Sequence, residues 1–166
     1  MASFDLIVLG GGPAGYVCAI RAAQLGLSTA VVEKDKLGGV CVNIGCIPTK
    51  ALLHSASSIN LIAHQAKELG IEVGTVKTDY GVAMKRSRRV SEQNSKGVEF
   101  LMKKNKVTVI KGTGTLLPGR KVKVGALSFT LAGTSYALSA FAEDVGRVQR
   151  LWVPFRDLTS GLETYG

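Results

Sequence analysis

The chain has 166 residues, 46% of them apolar, and a formal net charge of +9. This length and composition predict one folded α/β domain and exclude a disordered or fibrous protein. No apolar run is long enough to cross a bilayer, no signal peptide is predicted, and three cysteines do not suggest a structural disulfide framework.

The positive charge is concentrated in the middle of the sequence. Residues 71–124 hold thirteen Lys or Arg against four Asp or Glu, whereas the flanking regions are nearly balanced. Such a block could bind nucleic acid, or it could be the solvated face of a helix. The block contains only Tyr80 and Phe100 as aromatic side chains for base stacking, so the helix face is favoured and no nucleic-acid partner is expected.

The first elements in chain order form a βαβ pattern. Residues 4–9 are an apolar run typical of a buried parallel strand, and glycines interrupt it at 10–15. A helix is predicted over 16–25, followed by a second strand over 29–32 that ends at Glu33.

The next elements are mainly helical. Residues 34–45 are predicted to form a loop, and a helix should run from Cys46 to about residue 69. Asp79 is a candidate N-cap for a long helix that ends near Asn105. Strands are expected over 107–110, around Val122 and Val124, and over 127–131.

The character of the sequence changes after about residue 125. Six of the ten aromatic residues fall within 125–166, lysine disappears, and neither a clear hydrophobic period nor a motif is found. We therefore interpret 1–124 and 125–166 as separate parts of the chain.

A glycine motif lies between the first strand and the first helix. In this context Gly10-x-Gly12-x-x-Gly15 is typical of dinucleotide binding, because the turn brings the backbone and the helix N-terminus close to a pyrophosphate. Glu33 ends the next strand, where its carboxylate could accept hydrogen bonds from a ribose and would repel a 2′-phosphate. These features favour FAD or NAD over NADP.

Cys41 and Cys46 are the main candidates for chemistry. They are near enough in sequence to form a disulfide, and Cys46 would begin a helix, where the dipole favours a thiolate. Two unrelated buried thiols or half of a metal site are the alternatives. No second Cys or His cluster completes a zinc site, so no metal is predicted.

Three further residues are open to more than one interpretation. Lys50 follows Cys46 by one helical turn and could steady an anionic flavin or a thiolate, or simply be exposed. His54 is more often a packing or surface residue than a base. Cys18 is expected to be a packed core thiol on the small-residue face of the first helix.

The residues 4–54 closely resemble the N-terminus of the dihydrolipoamide dehydrogenase family of flavoproteins. The most specific part is Gly38-Gly39-Val40-Cys41-Val42-Asn43-Ile44-Gly45-Cys46-Ile47-Pro48-Thr49-Lys50, and a weaker resemblance continues through Gly114 to about Val124. The implied fold is a Rossmann-like parallel sheet with flanking helices, forming an incomplete FAD-binding domain within 1–124.

The resemblance also implies roles for individual residues. Cys41 would exchange with dihydrolipoamide, Cys46 would face the flavin as a charge-transfer thiolate, and Glu33 would bind the adenosine ribose. Electrons would pass from the dithiol to the disulfide, to FAD and then to NAD. The residues expected to contact the cofactor are Gly10, Gly12, Pro13, Ala14, Gly15, Glu33, Lys34, Gly39, Val40, Cys41, Lys50 and Gly114.

The sequence also departs from the family pattern. No second GxGxxG is present for NAD, no Ala-Thr-Gly turn follows residue 125, and the His-Glu base that the partner subunit of a homodimer supplies is missing. We therefore expect an oxidoreductase fragment that does not turn over alone, with residues 125–166 an atypical tail and a shifted reading frame as one explanation for it.

The resemblance further implies lipoyl groups of 2-oxo acid dehydrogenase complexes as partners, no membrane partner and a cytoplasmic location. The alternatives are a non-catalytic FAD-binding module and a basic binding protein.

Overall fold

The computed structural model describes residues 2–132 and the backbone of 137–139. It contains two four-stranded sheets and four helices within those residues. The strands are β1 (Ser3–Phe4), β2 (Leu6–Leu9), β3 (Thr29–Glu33), β4 (Thr108–Lys111), β5 (Gly114–Leu117), β6 (Lys121–Val124), β7 (Leu127–Leu131) and β8 (Ala137–Ser139). The helices are α1 (Pro13–Gln24), α2 (Gly39–Asn43), α3 (Cys46–His64) and α4 (Tyr80–Lys104).

The central sheet is parallel and confirms the predicted Rossmann-like fold. Its strand order is β4-β3-β2-β8, with Val8 opposite Val31 and Val31 opposite Val109. Residues in β2 and β3 alternate between the two faces, so both faces are apolar and both are covered. α1 covers one face as the right-handed crossover from β2 to β3 that such units require.

The second sheet has the order β1-β7-β6-β5 and packs on the other face. Phe129 and Leu131 of β7 join Ile7 and Val32 of the central sheet in one buried cluster. The opposite cluster holds Leu6, Val8 and Val31 with Val98 and Met102 of α4. The molecule is therefore layered as helices, parallel sheet and a mostly antiparallel sheet.

Several sequence predictions need adjustment. Residues 34–45 are not all loop, because 39–43 form the short helix α2, which is too brief to give a periodic pattern. α1 begins at Pro13, since proline fits the first position of a helix. Strand β5 was not predicted, and neither was β8, which pairs in parallel with β2.

The part of the chain beyond residue 124 is described only in part. β7 forms a hairpin with β6 and pairs in parallel with β1, so the sheet continues past residue 124. The rest of the predicted tail, apart from β8, lies outside the described residues. In the described part of the chain, none of the helices is long and apolar enough to span a membrane.

Candidate active site

The loop between β2 and α1 leaves the N-terminus of α1 free to meet an anion. Gly12 is the N-cap, Pro13 is at the start of the helix, and no side chain caps the helix by a hydrogen bond. The first turn holds no acidic residue. Because the first N–H groups of a helix have no partner within it and carry partial positive charge, this end suits a phosphate group.

The glycines of the loop meet different surroundings. A Cβ atom at Gly15 would collide with the carbonyl oxygen of Gly10, whereas one at Gly12 would meet no atom within 4 Å. Gly15 therefore permits the close contact of helix and turn, and Gly12 faces open space. An open position beside an uncapped helix N-terminus fits a pyrophosphate.

Glu33 lies at the end of β3 and is bonded to this loop. Its Oε2 accepts a hydrogen bond from the Gly11 N–H at 2.6 Å, and its Oε1 accepts one from the Asp35 N–H at 2.9 Å. The ribose contact stays a prediction; the structure shows that the carboxylate is bonded to the glycine loop. A carboxylate has about four lone-pair sites, so two remain for hydroxyl donors.

The two cysteines lie on separate helices that meet at a sharp break. Cys41 is half-buried on α2, and Cys46 is exposed at the first position of α3. The N–H groups of Ile44 and Gly45 both donate to the Val40 carbonyl, at 2.9 and 2.7 Å, which closes the turn between the helices. The structure holds both cysteines as free thiols.

The pKa of the Cys41 thiol depends mainly on Cys46. A hydrogen bond with the Cys46 side chain, then partial burial, then the charge that Cys46 can carry together raise the pKa of Cys41 above its usual range. The Cys46 backbone and the Lys50 ammonium act in the opposite direction. The two sulfur groups are therefore neighbours, and their contact favours the protonated form of Cys41 in the reduced protein.

The cysteine helices contact the glycine loop directly. A Cβ atom on Gly39, at the start of α2, would lie 2.9 Å from the Cα of Gly12. The Gly38 N–H donates to the Gly11 carbonyl at 2.8 Å. The fold thus joins the two motifs that are about thirty residues apart in sequence.

The other predicted site residues differ in burial and in position. Val40 is half-buried beside Cys41 on α2, and Ala14, Lys34 and Lys50 are exposed. Gly114 begins β5, where a Cβ would be 2.6 Å from Leu9 and 3.3 Å from Val32, so it lies over the ends of β2 and β3. A larger residue at Gly114 would require the Leu9 side chain to move.

Two polar residues beside the cysteines were not predicted from the sequence. The Asn43 Nδ2 donates to the Leu37 carbonyl at 3.1 Å and to the Gly39 carbonyl at 2.9 Å. The Ser95 Oγ, from α4, donates to the same Leu37 carbonyl at 2.8 Å. The available signal was the row Ser87, Ser91 and Ser95 at helical spacing, which marks a packed face of α4.

Arginines from α4 also reach the cysteine helices. The Arg86 Nη1 donates to the Ala51 carbonyl of α3 at 3.2 Å, and the Arg88 Nη1 lies 3.5 Å from the Asn43 carbonyl between the cysteines. Part of the basic block therefore has a structural contact with the site.

The remaining candidates lie apart from this arrangement. Cys18 is half-buried on α1 among core residues, and its burial raises the pKa of its thiol. His54 is exposed on α3. Among residues 2–132 and 137–139, no three His, Cys, Asp or Glu side chains come together to hold a metal ion.

Comparisons with known proteins identify relatives of this chain. Residues 4–134 match the family model described as pyridine nucleotide-disulphide oxidoreductase. A dihydrolipoyl dehydrogenase of Mycobacterium tuberculosis (strain ATCC 25618 / H37Rv) is 47% identical over 165 residues, which are 99% of this chain and 35% of that protein. One from Mycobacterium leprae (strain TN) is 54% identical over 124 residues, 75% of this chain and 26% of that protein.

A solved structure agrees with the fold. The HOCl-induced flavoprotein disulfide reductase RclA from Escherichia coli, as a Cu(II) complex, superposes with a TM-score of 0.66 at 24% identity, covering 84% of this chain and 29% of that chain. The chain thus spans about a third or less of the length of the proteins it matches.

Proposed function

The chain belongs to the pyridine nucleotide-disulphide oxidoreductase family, and on that premise we propose that it carries the thiol-oxidising half-site of a dihydrolipoyl dehydrogenase. The observation that supports this most is the contact between Gly12 and Gly39, because Gly39 begins α2, the helix that carries Cys41. A dinucleotide bound along that loop would have a dithiol beside it.

The residues present fit FAD. The uncapped N-terminus of α1 with Gly12, Pro13 and Ala14 would hold the pyrophosphate, and the free lone pairs of Glu33 would hold the ribose. Lys34, Gly39, Val40, Lys50 and Gly114 complete the proposed contacts. When bound, the flavin supplies a two-electron acceptor that can pass electrons to NAD.

The exchange itself is proposed to start on the disulfide form of the pair. A substrate thiolate attacks Sγ of Cys41, the Cys41–Cys46 bond breaks, and Cys46 leaves as a thiolate at the N-terminus of α3. The second thiolate of the same substrate then attacks the substrate sulfur of the mixed disulfide. This step forms the substrate disulfide and releases Cys41 as a thiolate. The dihydrolipoyl dithiol becomes a disulfide, and its two electrons reside on the two cysteines.

The two sulfurs differ in ways that suit these roles. The pKa of Cys41 is raised, chiefly by its hydrogen bond with Cys46, which favours a proton on the released Cys41, while Cys46 is exposed at the N-terminus of α3. The family link makes lipoyl groups of 2-oxo acid dehydrogenase complexes the proposed partners. Homodimerisation and a cytoplasmic location stay predictions.

The experiment uses the purified chain of 166 residues and its variant Gly12→Asp. Gly12 has φ −70° and open space at its Cβ, so aspartate fits the fold but places a carboxylate where the phosphates would lie. We expect the parent chain to bind FAD in a fluorescence titration and Gly12→Asp to bind at least about tenfold more weakly, with unchanged circular dichroism.

Gly97→Asp is the matched control, because it adds the same charge at an open position on α4. Equal FAD affinity in both variants, or no FAD binding by the parent chain, would refute the proposed cofactor site. Bound FAD without disulfide exchange with dihydrolipoamide would favour the non-catalytic FAD-binding module instead. NADH production by this chain alone would contradict the restriction to a half-reaction.

A further inference from the structure

The Leu37 carbonyl is the point at which three parts of the chain are tied together. It precedes the turn into α2, and it accepts hydrogen bonds from Asn43 at the end of α2 and from Ser95 in the middle of α4. Leu37 is itself buried, with 6% of its surface exposed. Both lone pairs of this carbonyl are therefore used, on a buried residue.

The two donors constrain the helix that carries Cys41. Asn43, the last residue of α2, bonds to the carbonyl of Gly39, the first residue of the helix, and to the carbonyl of Leu37, two residues earlier, so it links both ends of α2. A helix of five residues has too few internal hydrogen bonds to be stable alone. The hydrogen bond from Ser95 links the Leu37 carbonyl to α4. The same helix α4 also packs on α3, which carries Cys46.

We propose that Ser95 and Asn43 are positioning residues that, through the Leu37 carbonyl, hold Cys41 at the right distance from Cys46 for disulfide exchange. This inference rests on the proposed redox function of the cysteine pair. It assigns a role to Ser95 of α4 and to the Asn43 amide between the two cysteines.

A matched control lies one helical turn away on the same face. Ser91 has 4% of its surface exposed and Ser95 has 6%, but the Ser91 Oγ has no hydrogen-bond partner among the described residues. Removing the Ser91 hydroxyl therefore changes the same packed face without breaking a bond to the cysteine segment. The comparison of Ser95→Ala with Ser91→Ala isolates the bond to Leu37.

The experiment measures the thiol–disulfide equilibrium of the pair in dithiothreitol buffers, in a Cys18→Ala background of the 166-residue chain. Oxidised dithiothreitol takes two electrons and two protons from Cys41 and Cys46 as their disulfide forms. We expect the equilibrium constant for disulfide formation to fall by about threefold to tenfold in Ser95→Ala, as for one buried hydrogen bond, and to stay unchanged in Ser91→Ala.

Chemical unfolding of each variant separates positioning from general support. A merely structural bond would destabilise the dithiol and disulfide forms equally and leave the redox equilibrium unmoved. That result, or equal shifts in Ser95→Ala and Ser91→Ala, would overturn the proposal. If Ser95→Ala does not fold, Asn43→Ala decides, since alanine is compatible with α2; an unmoved equilibrium there would overturn it as well.

The same data distinguish this inference from the proposed function. If the pair without these substitutions forms no disulfide at any buffer ratio, the redox function fails and the positioning role fails with it. If that pair forms the disulfide and the variants match it, only the positioning role fails.

Discussion

Among the glycines of the described residues, Gly15 has the tightest surroundings. The first turn of α1 packs so closely on the preceding loop that a Cβ there would overlap the Gly10 carbonyl oxygen. Both atoms belong to backbone that is fixed by the sheet and the helix, so neither can move aside as a flexible side chain could. The third glycine of the motif thus serves packing, while Gly12 is free to serve a ligand.

We predict that Gly15→Ala lowers the free energy of unfolding by about 1–3 kcal/mol, the usual cost of overpacking a tight contact. Gly97→Ala is the control, because Gly97 lies inside α4 with open space around it and should gain about 0.5–1 kcal/mol from the better helix former. Urea unfolding measures both. If both substitutions change the free energy of unfolding by equally small amounts, the Gly10 carbonyl moves aside for a Cβ at residue 15 and the contact does not limit the substitution.

The sequence indicates candidate residues but not the contacts that they make within the protein. Glu33 was expected to meet a ribose because it ends the second strand, and the structure adds a bond to the Gly11 N–H that the spacing does not reveal. Gly12 was expected to give access to the backbone, and its surroundings are open. The role of Asn43 was not predicted, because its partner Leu37 is identified only when α2 has formed.

At the scale of elements, α4 links the core to the cysteine helices. Its buried residues Val98 and Met102 pack on the parallel sheet, and its earlier part contacts α3. The helix also carries the exposed basic residues Lys85, Arg88 and Arg89, and the Arg88 side chain reaches the Asn43 carbonyl. Its beginning was predicted correctly from Asp79, whose carboxylate accepts a hydrogen bond from the Val82 N–H at 3.2 Å.

Asp79→Ala should lower the free energy of unfolding by about 1 kcal/mol, since an N–H at the start of α4 loses its acceptor. Asp79→Asn keeps an acceptor oxygen and should lose less than half as much. Urea unfolding of the three proteins tests this. If the alanine and asparagine variants are equally destabilised, the charge and not the hydrogen bond is what stabilises the start of the helix.

At the scale of the whole molecule, the described residues form a layered core with one weakly held segment. Residues 71–79 have no regular structure and are exposed between α3 and α4. The hairpin of β6 and β7, by contrast, has buried Val122 and Phe129 and pairs with β1. Segments that lack hydrogen bonds and buried contacts open at little cost and are cut first by proteases.

We predict that trypsin, within residues 2–132, cuts first after Lys77. Lys77→Gln should delay the first cut in this range, whereas Lys123→Gln should leave it unchanged, because Lys123 is exposed but its backbone is paired between β5 and β7. Mass spectrometry of early fragments measures this. Early cutting after Lys123 would instead show that the hairpin is loosely attached and would support a boundary near residue 124.

The sequence by itself determined the βαβ start, the glycine loop, the long basic helix and the cysteine pair, because each depends on residues that are close along the chain. The tertiary structure alone decided that α2 packs on Gly12, that β7 extends the second sheet, and that Ser95 bonds to a carbonyl 58 positions away. Such contacts follow from how apolar faces pack between layers, which no local pattern specifies. The sequence therefore identifies the two cysteines, whereas contacts with residues distant in sequence, such as Ser95, fix the segment that carries Cys41.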